Sequence, residues 1–282
     1  MAITVIVPVY NAAADLAVCL DSLLRTLSSN AQVLIADDAS PDPRVAPVIK
    51  RFARQAEFAA ATHWRPENLG FVGNVNRAFK DSGSADVVIL NADTITTPHW
   101  LDRIAACAAS DASIATITPW SNNAEICSYP HFCASAEIPD DLDELAAAAA
   151  ELLPSYPELP TGVGFCMYIR RAALDAIGDF DAATFGRGYG EENDFCRRAA
   201  AHGWRNVLCD DAFVAHRGGA SFGPTGLKPG GENLLRLCAR YPDYNARVAE
   251  FIMRDPLAEL RQRFNDRHRA HRAVPMQRPL FE

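Results

Sequence analysis

Four places in this chain put carboxylate, amide or imidazole groups directly after an apolar run. Val87-Val88-Ile89-Leu90 leads into Asn91-Ala92-Asp93, Ile3 to Val9 into Tyr10-Asn11, Gln32 to Ala36 into Asp37-Asp38, and Val207 to Ala215 into His216. A carboxylate plus an imidazole can ligate a divalent cation, because both offer lone pairs in a fixed geometry. A cation held there can in turn hold a diphosphate. Asp93 equally suits a cap for the helix that starts near Pro98, or an Asx turn. A fifth cluster, Gly188-Tyr189-Gly190-Glu191-Glu192-Asn193-Asp194-Phe195, sets two adjacent carboxylates at a helix start, where the dipole favours the anion. An anionic carboxylate at a sheet edge can take the proton of a hydroxyl. Plain helix-dipole complementarity accounts for the same pattern.

These groups need a scaffold that brings strand ends together. The runs Ile3–Val9, 32–36, 58–63, 87–90 and 114–119 read as strands. Between them, 12–27, 43–56, 72–80 and 98–109 read as helices, the last opened by Pro98. Such alternation predicts βαβ units in a mostly parallel sheet flanked by helices. Strand ends of such a sheet gather on one edge, and ligands bind there. After Pro119 the rhythm changes. Ser121-Asn122-Asn123 is loop chemistry, 139–153 reads as a helix with an acidic start, 165–169 as a strand, 180–190 as a glycine-rich mobile loop and 191–202 as a helix. Residues 230–272 read as mostly helical. The expected organisation is one α/β domain over 1–226, with a nucleotide-binding half at 1–119 and an acceptor half at 120–226. A helical extension follows at 227–282.

Bulk properties exclude several classes. A net charge of −8 argues against general nucleic-acid binding. The 8 cysteines are scattered without a Cys-x-x-Cys pair and read as core filler in a reducing compartment. The opening residues enter a strand at once, so no signal peptide is expected. No stretch reaches the roughly 18 apolar residues of a membrane span, and a cytoplasmic location is expected. Arg254, Arg261, Arg263, Arg267, Arg269 and Arg272 near the end read as a solvated helix or a subunit contact, making a homodimer a natural candidate. They also read as a peripheral contact with an anionic membrane face.

In this order the motifs resemble those of the family 2 inverting glycosyltransferases, with the GT-A fold. Pro8-Val9-Tyr10-Asn11 looks like the family's opening motif and Asp37-Asp38-Ala39-Ser40 like its second. Glu67-Asn68-Leu69-Gly70-Phe71 with Asn74 and Asn76 is similar to a segment of rhamnosyltransferase-like members. Asn91-Ala92-Asp93 stands at the D-x-D position, Glu191-Glu192-Asn193-Asp194 resembles the paired-acid motif, and His216 matches a late metal-ligand histidine. The resemblance spans residues 3 to about 222.

What it implies can be carried over position by position. Pro8, Tyr10, Asn11, Asp38, Asn68 and Asn91 would border the nucleotide of a UDP- or dTDP-linked sugar. Asp93 and His216 would hold Mg²⁺ or Mn²⁺, with Asn91 in place of the first aspartate lowering metal affinity. Glu192 would deprotonate the acceptor hydroxyl, and Glu191 is the other candidate. Trp120, Gly162, Gly164 and Asp194 would line the side of a glycan or lipid-linked glycan acceptor, although Trp120 equally suits the core. The loop 186–190 and the segment 218–231 would close over the donor. Surface polysaccharide synthesis is the implied setting. Two rivals remain. A sugar nucleotidyltransferase would want a Gly-rich basic first loop, and Val9 to Asp15 has neither Gly nor Lys. A non-catalytic nucleotide-sugar-binding module would have no need of Asp93, Glu192 and His216.

Overall fold

The computed structural model describes residues 2–186, 188–218 and 231–273. One eight-stranded sheet runs through it, in the order β3-β2-β1-β4-β7-β6-β8-β5. Its first half is β1 (Ile3–Val9), β2 (Gln32–Asp37), β3 (Ala59–Trp64) and β4 (Asp86–Leu90), all paired in parallel. Its second half is β5 (Thr94–Thr96), β6 (Ile114–Trp120), β7 (Cys166–Ile169) and β8 (Arg205–His216). β7 stands antiparallel between β4 and β6, and β8 runs parallel to β6. β4, β6 and β8 therefore share a direction with β1 and β2. The carboxyl ends of these and of β3, together with the amino end of β7, meet on one edge.

Strand periodicity sorts the core into two layers. Val5, Val7, Val9, Val88 and Leu90 face one side. There they pack on α1 (Ala13–Thr26), α2 (Val45–Gln55) and α4 (Trp100–Ser110) through Leu16, Leu20, Ile49, Phe52 and Ile104. Ile6, Val87 and Ile89 face the other side. They meet α3 (Gly70–Asp81), α6 (Arg171–Ile177) and α8 (Glu191–Ala201) through Val72, Phe79, Leu174 and Phe195. Apolar runs buried on both faces are what a helix-covered parallel sheet requires.

Several elements depart from the expectation. α5 is shorter than 139–153, spanning Leu142–Ala150. The expected loop 180–190 contains the short helix α7 (Ala182–Phe185), whose first turn is capped by the Asp181 carboxylate accepting from Thr184 N–H at 3.0 Å. β5 and α6 were not expected, being too short for periodicity to show. The last helices are α9 (Glu232–Arg240), α10 (Tyr244–Arg254) and α11 (Ala258–Ala273). α11 is part of the main core: Leu260 and Phe264 are buried there beside Trp120 and Phe213. The expected boundary at 226, and most of the segment expected to close over the donor, fall outside the described residues.

Six of the cysteines are buried and all eight are free, in keeping with their reading as filler. Four of the six C-terminal arginines pair with carboxylates of the same chain. Arg267 and Arg272 reach Glu151 and Asp141 at the ends of α5, Arg254 pairs with Glu250, and Arg261 pairs with Asp255. No helix among the described residues is long and apolar enough to cross a membrane.

Candidate active site

The shared edge holds a cavity of about 230 Å³. Asn91 and Asp93 from the end of β4, His216 from β8, Glu191 and Glu192 from the start of α8, and Gly164 beside β7 all line it. The three-residue strand β5 explains how Asp93 meets His216. Thr94 pairs directly with His216 in an antiparallel ladder, which seats the preceding residue beside the imidazole. Asp93 Oδ1 lies 3.4 Å from His216 Nε2, and both side chains are largely buried.

The tautomer of His216 follows from its other nitrogen. Nδ1 lies 2.7 Å from the carbonyl oxygen of Asn123, and a carbonyl can only accept, so Nδ1 carries hydrogen. In the neutral ring Nε2 is then the bare nitrogen, facing Asp93 and the cavity. The ring is pinned further. Asn122 accepts from His216 N–H at 2.8 Å and donates to its carbonyl at 3.0 Å, and Phe165 stacks on the ring at 5.1 Å. Gly218 is needed next in the chain: its φ is +78°, and a Cβ there would fall 2.3 Å from Asn123 Nδ2. A carboxylate and a neutral imidazole, backed by a second shell of carbonyl and amide, form a donor set that suits Mg²⁺ or Mn²⁺. Among the described residues no third His, Cys, Asp or Glu completes a cluster, so substrate oxygens and water would have to supply the remaining ligands.

The paired acids are not equivalent. Glu191 is 4% exposed, and its Oε2 has no hydrogen-bond partner among the described residues. Burial, reinforced by the charge of Glu192, pushes its carboxyl well above the ordinary range. Glu192 is half-buried and accepts from Gly190 N–H at 3.3 Å. Burial raises it too, but the neighbouring N–H groups and the Glu191 side chain pull it back. The deeper burial of Glu191 favours its protonated form, and Glu192, partly open to the cavity, is the better placed of the two to ionise. A Cβ on Gly164 would sit 3.8 Å from Glu192 Cγ, so the glycine leaves open space beside this carboxylate.

Toward β1 and β2 the edge is polar in a different way. Asn11 accepts from Asp42 N–H with its side chain and donates its own N–H to Ser40, tying the two loops together. Asp38 is buried and turned inward, accepting from Leu69 N–H at 2.7 Å, while its carbonyl takes the Asn68 side-chain amide at 3.1 Å. Burial raises the Asp38 carboxyl, with the N–H groups of Leu69 and Gly70 opposing. Its neighbour Asp37 keeps Oδ1 buried and without a hydrogen-bond partner among the described residues. Tyr10 is half-buried at the strand end, and Pro8 is buried inside β1 opposite Ala36.

Three residues expected on the acceptor side stand elsewhere. Trp120 is fully buried, donating from Nε1 to the Asp210 carbonyl and packing against Phe264. Asp194 is fully buried, and its oxygens take Arg198, Arg240 and the Tyr241 hydroxyl. Gly162 is closed in by Thr118, Met167 and Cys196. Aromatic and acidic residue types suit a sugar site, but the faces of β6 and α8 they occupy point inward. Asn122, Asn123, Glu125 and Phe165 are not marked as site residues by any motif, although all but Asn122 line the cavity, as does Tyr189 from the loop expected to close over the donor. The strand-end rule, applied to β6, would have found the asparagines.

The sequence model for glycosyl transferase family 2 matches residues 4–178. The chain belongs to glycosyl transferase family 2. The matched part covers β1 to α6, so the family's own pattern reaches Asp93 but stops short of the paired acids and His216. Solved structures share the fold at low identity. GalNAc-T7 with UDP, GalNAc and Mn²⁺ superposes with a TM-score of 0.65 at 12% identity, over 95% of this chain and 54% of that one. S. aureus TarS 1–349 with UDP-GlcNAc gives 0.60 at 17%, over 84% and 64%. The mannosyltransferase PcManGT from Pyrobaculum calidifontis with GDP-Man and Mn²⁺ gives 0.56 at 16%, over 96% and 87%. The chain thus spans about half of the first and under two thirds of the second. No curated protein matches it. The fold is GT-A, as the strand-end motifs led one to expect.

Proposed function

We propose that this family 2 chain is an inverting glycosyltransferase. It moves a sugar from a nucleoside-diphosphate sugar to a hydroxyl of a glycan or lipid-linked glycan, with Mg²⁺ or Mn²⁺ bound by Asp93 and His216. One observation carries the reading. A metal-suited pair and a carboxyl pair, drawn from three separate segments between Asp93 and His216, line one cavity at the edge where such sheets bind nucleotides. The relatives support it, being crystallised with UDP-GlcNAc or with GDP-Man and Mn²⁺. GDP-linked donors therefore join the UDP- and dTDP-linked ones.

The bound cation would neutralise charge on the departing diphosphate. No Lys or Arg is among the described residues that line the cavity. The Asn123 carbonyl keeps His216 in the ligating tautomer, and the Asn122 side chain holds its backbone. The orphaned oxygen of Asp37 suits an N–H of the base or a hydroxyl of the ribose, with Tyr10, Asn11 and Asn68 beside it. Glu192 accepts the proton of the acceptor hydroxyl as that oxygen attacks the anomeric carbon from the face opposite the diphosphate. Glu191, still protonated, hydrogen-bonds Glu192 and keeps a second negative charge out of the pocket.

The test is release of nucleoside diphosphate from a panel of UDP-, dTDP- and GDP-sugars, with Mn²⁺ and again with a chelator. Metal-dependent release from one donor class, with inverted product where an acceptor is found, is expected. Silence across the panel, or release indifferent to chelation, would contradict the proposal.

A further inference from the structure

The cavity holds a third carboxylate on the Glu192 side, Glu125, which no motif pointed to. It opens the short 3-10 turn Glu125–Cys127 after β6, with a left-handed φ of +46°. For a glutamate this is a costly backbone state. The structure fixes it firmly. The Glu125 carbonyl accepts from Ser128 N–H at 3.0 Å and Cys133 N–H at 3.2 Å, and Ala124 N–H donates to Ser128 Oγ at 3.0 Å. The turn continues from Asn122 and Asn123, which hold His216. One short segment thus sets both the metal-side imidazole and Glu125.

Resting on the transferase reading, we propose that Glu125 is a specificity residue of the transfer site, preset by this turn to hold a second hydroxyl of the acceptor sugar beside the one Glu192 deprotonates. Its place in the sheet separates it from the nucleotide: β6 lies beyond β7, on the far side of β4 from β1 and β2. Its charge would repel a diphosphate, whereas a carboxylate is a strong acceptor for a sugar hydroxyl. Part of its surface is exposed, so the acceptor can reach it, unlike Glu191, while the cavity wall around the Glu125 carboxyl raises it above the ordinary glutamate range. Its charge is also felt at Glu192, where it adds to the upward push of burial. The other groups facing Glu192 are Glu191 on its own helix, Asp93, His216, Tyr189 and, from α10, Tyr244.

The test compares wild type with Glu125→Gln, which keeps the shape, and Glu125→Asn, which tolerates a positive φ and keeps the turn. In the free full chain, carbon-13-labelled glutamate side chains report the Glu192 titration. Its midpoint should fall by about half a pH unit or more in both variants. With the donor that wild type uses, acceptor KM should rise about tenfold or more while kcat stays within about threefold. Nucleotide affinity with Mn²⁺ should not change. An unmoved Glu192 midpoint, an unchanged acceptor KM, or an equal loss of nucleotide affinity would each overturn the proposal. Failure of wild type to bind any nucleotide would instead remove the transferase reading, and the role of Glu125 with it. An intact wild type with indifferent variants removes Glu125 alone.

Discussion

Two glutamates adjacent in sequence become chemically distinct through burial. Both line the cavity, but the helix start buries Glu191 and leaves Glu192 partly open. Glu192→Gln should lower kcat by about 10²- to 10⁴-fold, the span of a general base. Nucleotide binding with Mn²⁺ should be retained, and near-normal turnover would reject the assignment. Because the Glu192 carboxyl is raised and must be ionised to act, activity should climb with pH through a midpoint above the ordinary glutamate value. A pH profile of kcat/KM reads this directly. Asn122→Ala should weaken Mn²⁺ affinity by about 10- to 100-fold through the loosened imidazole, as measured by calorimetry. At this scale Asp93, His216 and the paired acids were legible, because each follows or opens an apolar element. Trp120 and Asp194 were misleading, since residue type does not tell which way a side chain faces. Glu125 was hidden because its usefulness depends on a left-handed turn closed by Ser128 and Cys133, which no local pattern announces.

Among the elements, the smallest strand matters most to the site, since β5 pairs Thr94 with His216. It is three residues long, below what alternation can reveal, whereas the longer strands and helices were legible from their periods. A second assembly joins α7, α8 and α9. Arg240 bridges Asp181 and Asp194 at 2.7 Å each, and Tyr241 adds its hydroxyl to Asp194. Asp194→Ala strands two arginines, and urea unfolding should show a loss of about 3 kcal/mol, at the low end for a broken buried pair because both arginines can turn to solvent. Asp181 carries the pH dependence. Burial raises its carboxyl, but Thr184 and Arg240 outweigh that and bring it from 3.8 to about 2. The folded state therefore binds its proton later than the unfolded one. The stabilisation is complete above 3.8 and is lost as pH falls through about 2. The gap in urea midpoint between wild type and Asp181→Asn should shrink across that window. A gap constant with pH would show that the ion pair contributes nothing.

For the molecule as a whole, the sheet direction does the organising. Six parallel strand ends and the start of β7 share one edge, so groups far apart in sequence face one cavity. That much followed from the strand–helix alternation. The place of β7 between β4 and β6, and the burial of α11 in the main core, did not, because both depend on long-range packing. Phe264 is fully buried against Trp120, Tyr129 and Phe213. Phe264→Ala should therefore cost about 3–5 kcal/mol, seen as a lower Tm by calorimetry. The central claim is that this edge binds a nucleoside diphosphate through a metal held by Asp93 and His216. The most direct measurement is calorimetric titration of UDP, dTDP and GDP into the full chain, each with and without Mn²⁺, repeated on His216→Ala. One nucleotide should bind with Mn²⁺, and its affinity should fall about tenfold or more when either the metal or the imidazole is removed. Binding that is equally tight without Mn²⁺ and in His216→Ala would contradict the account.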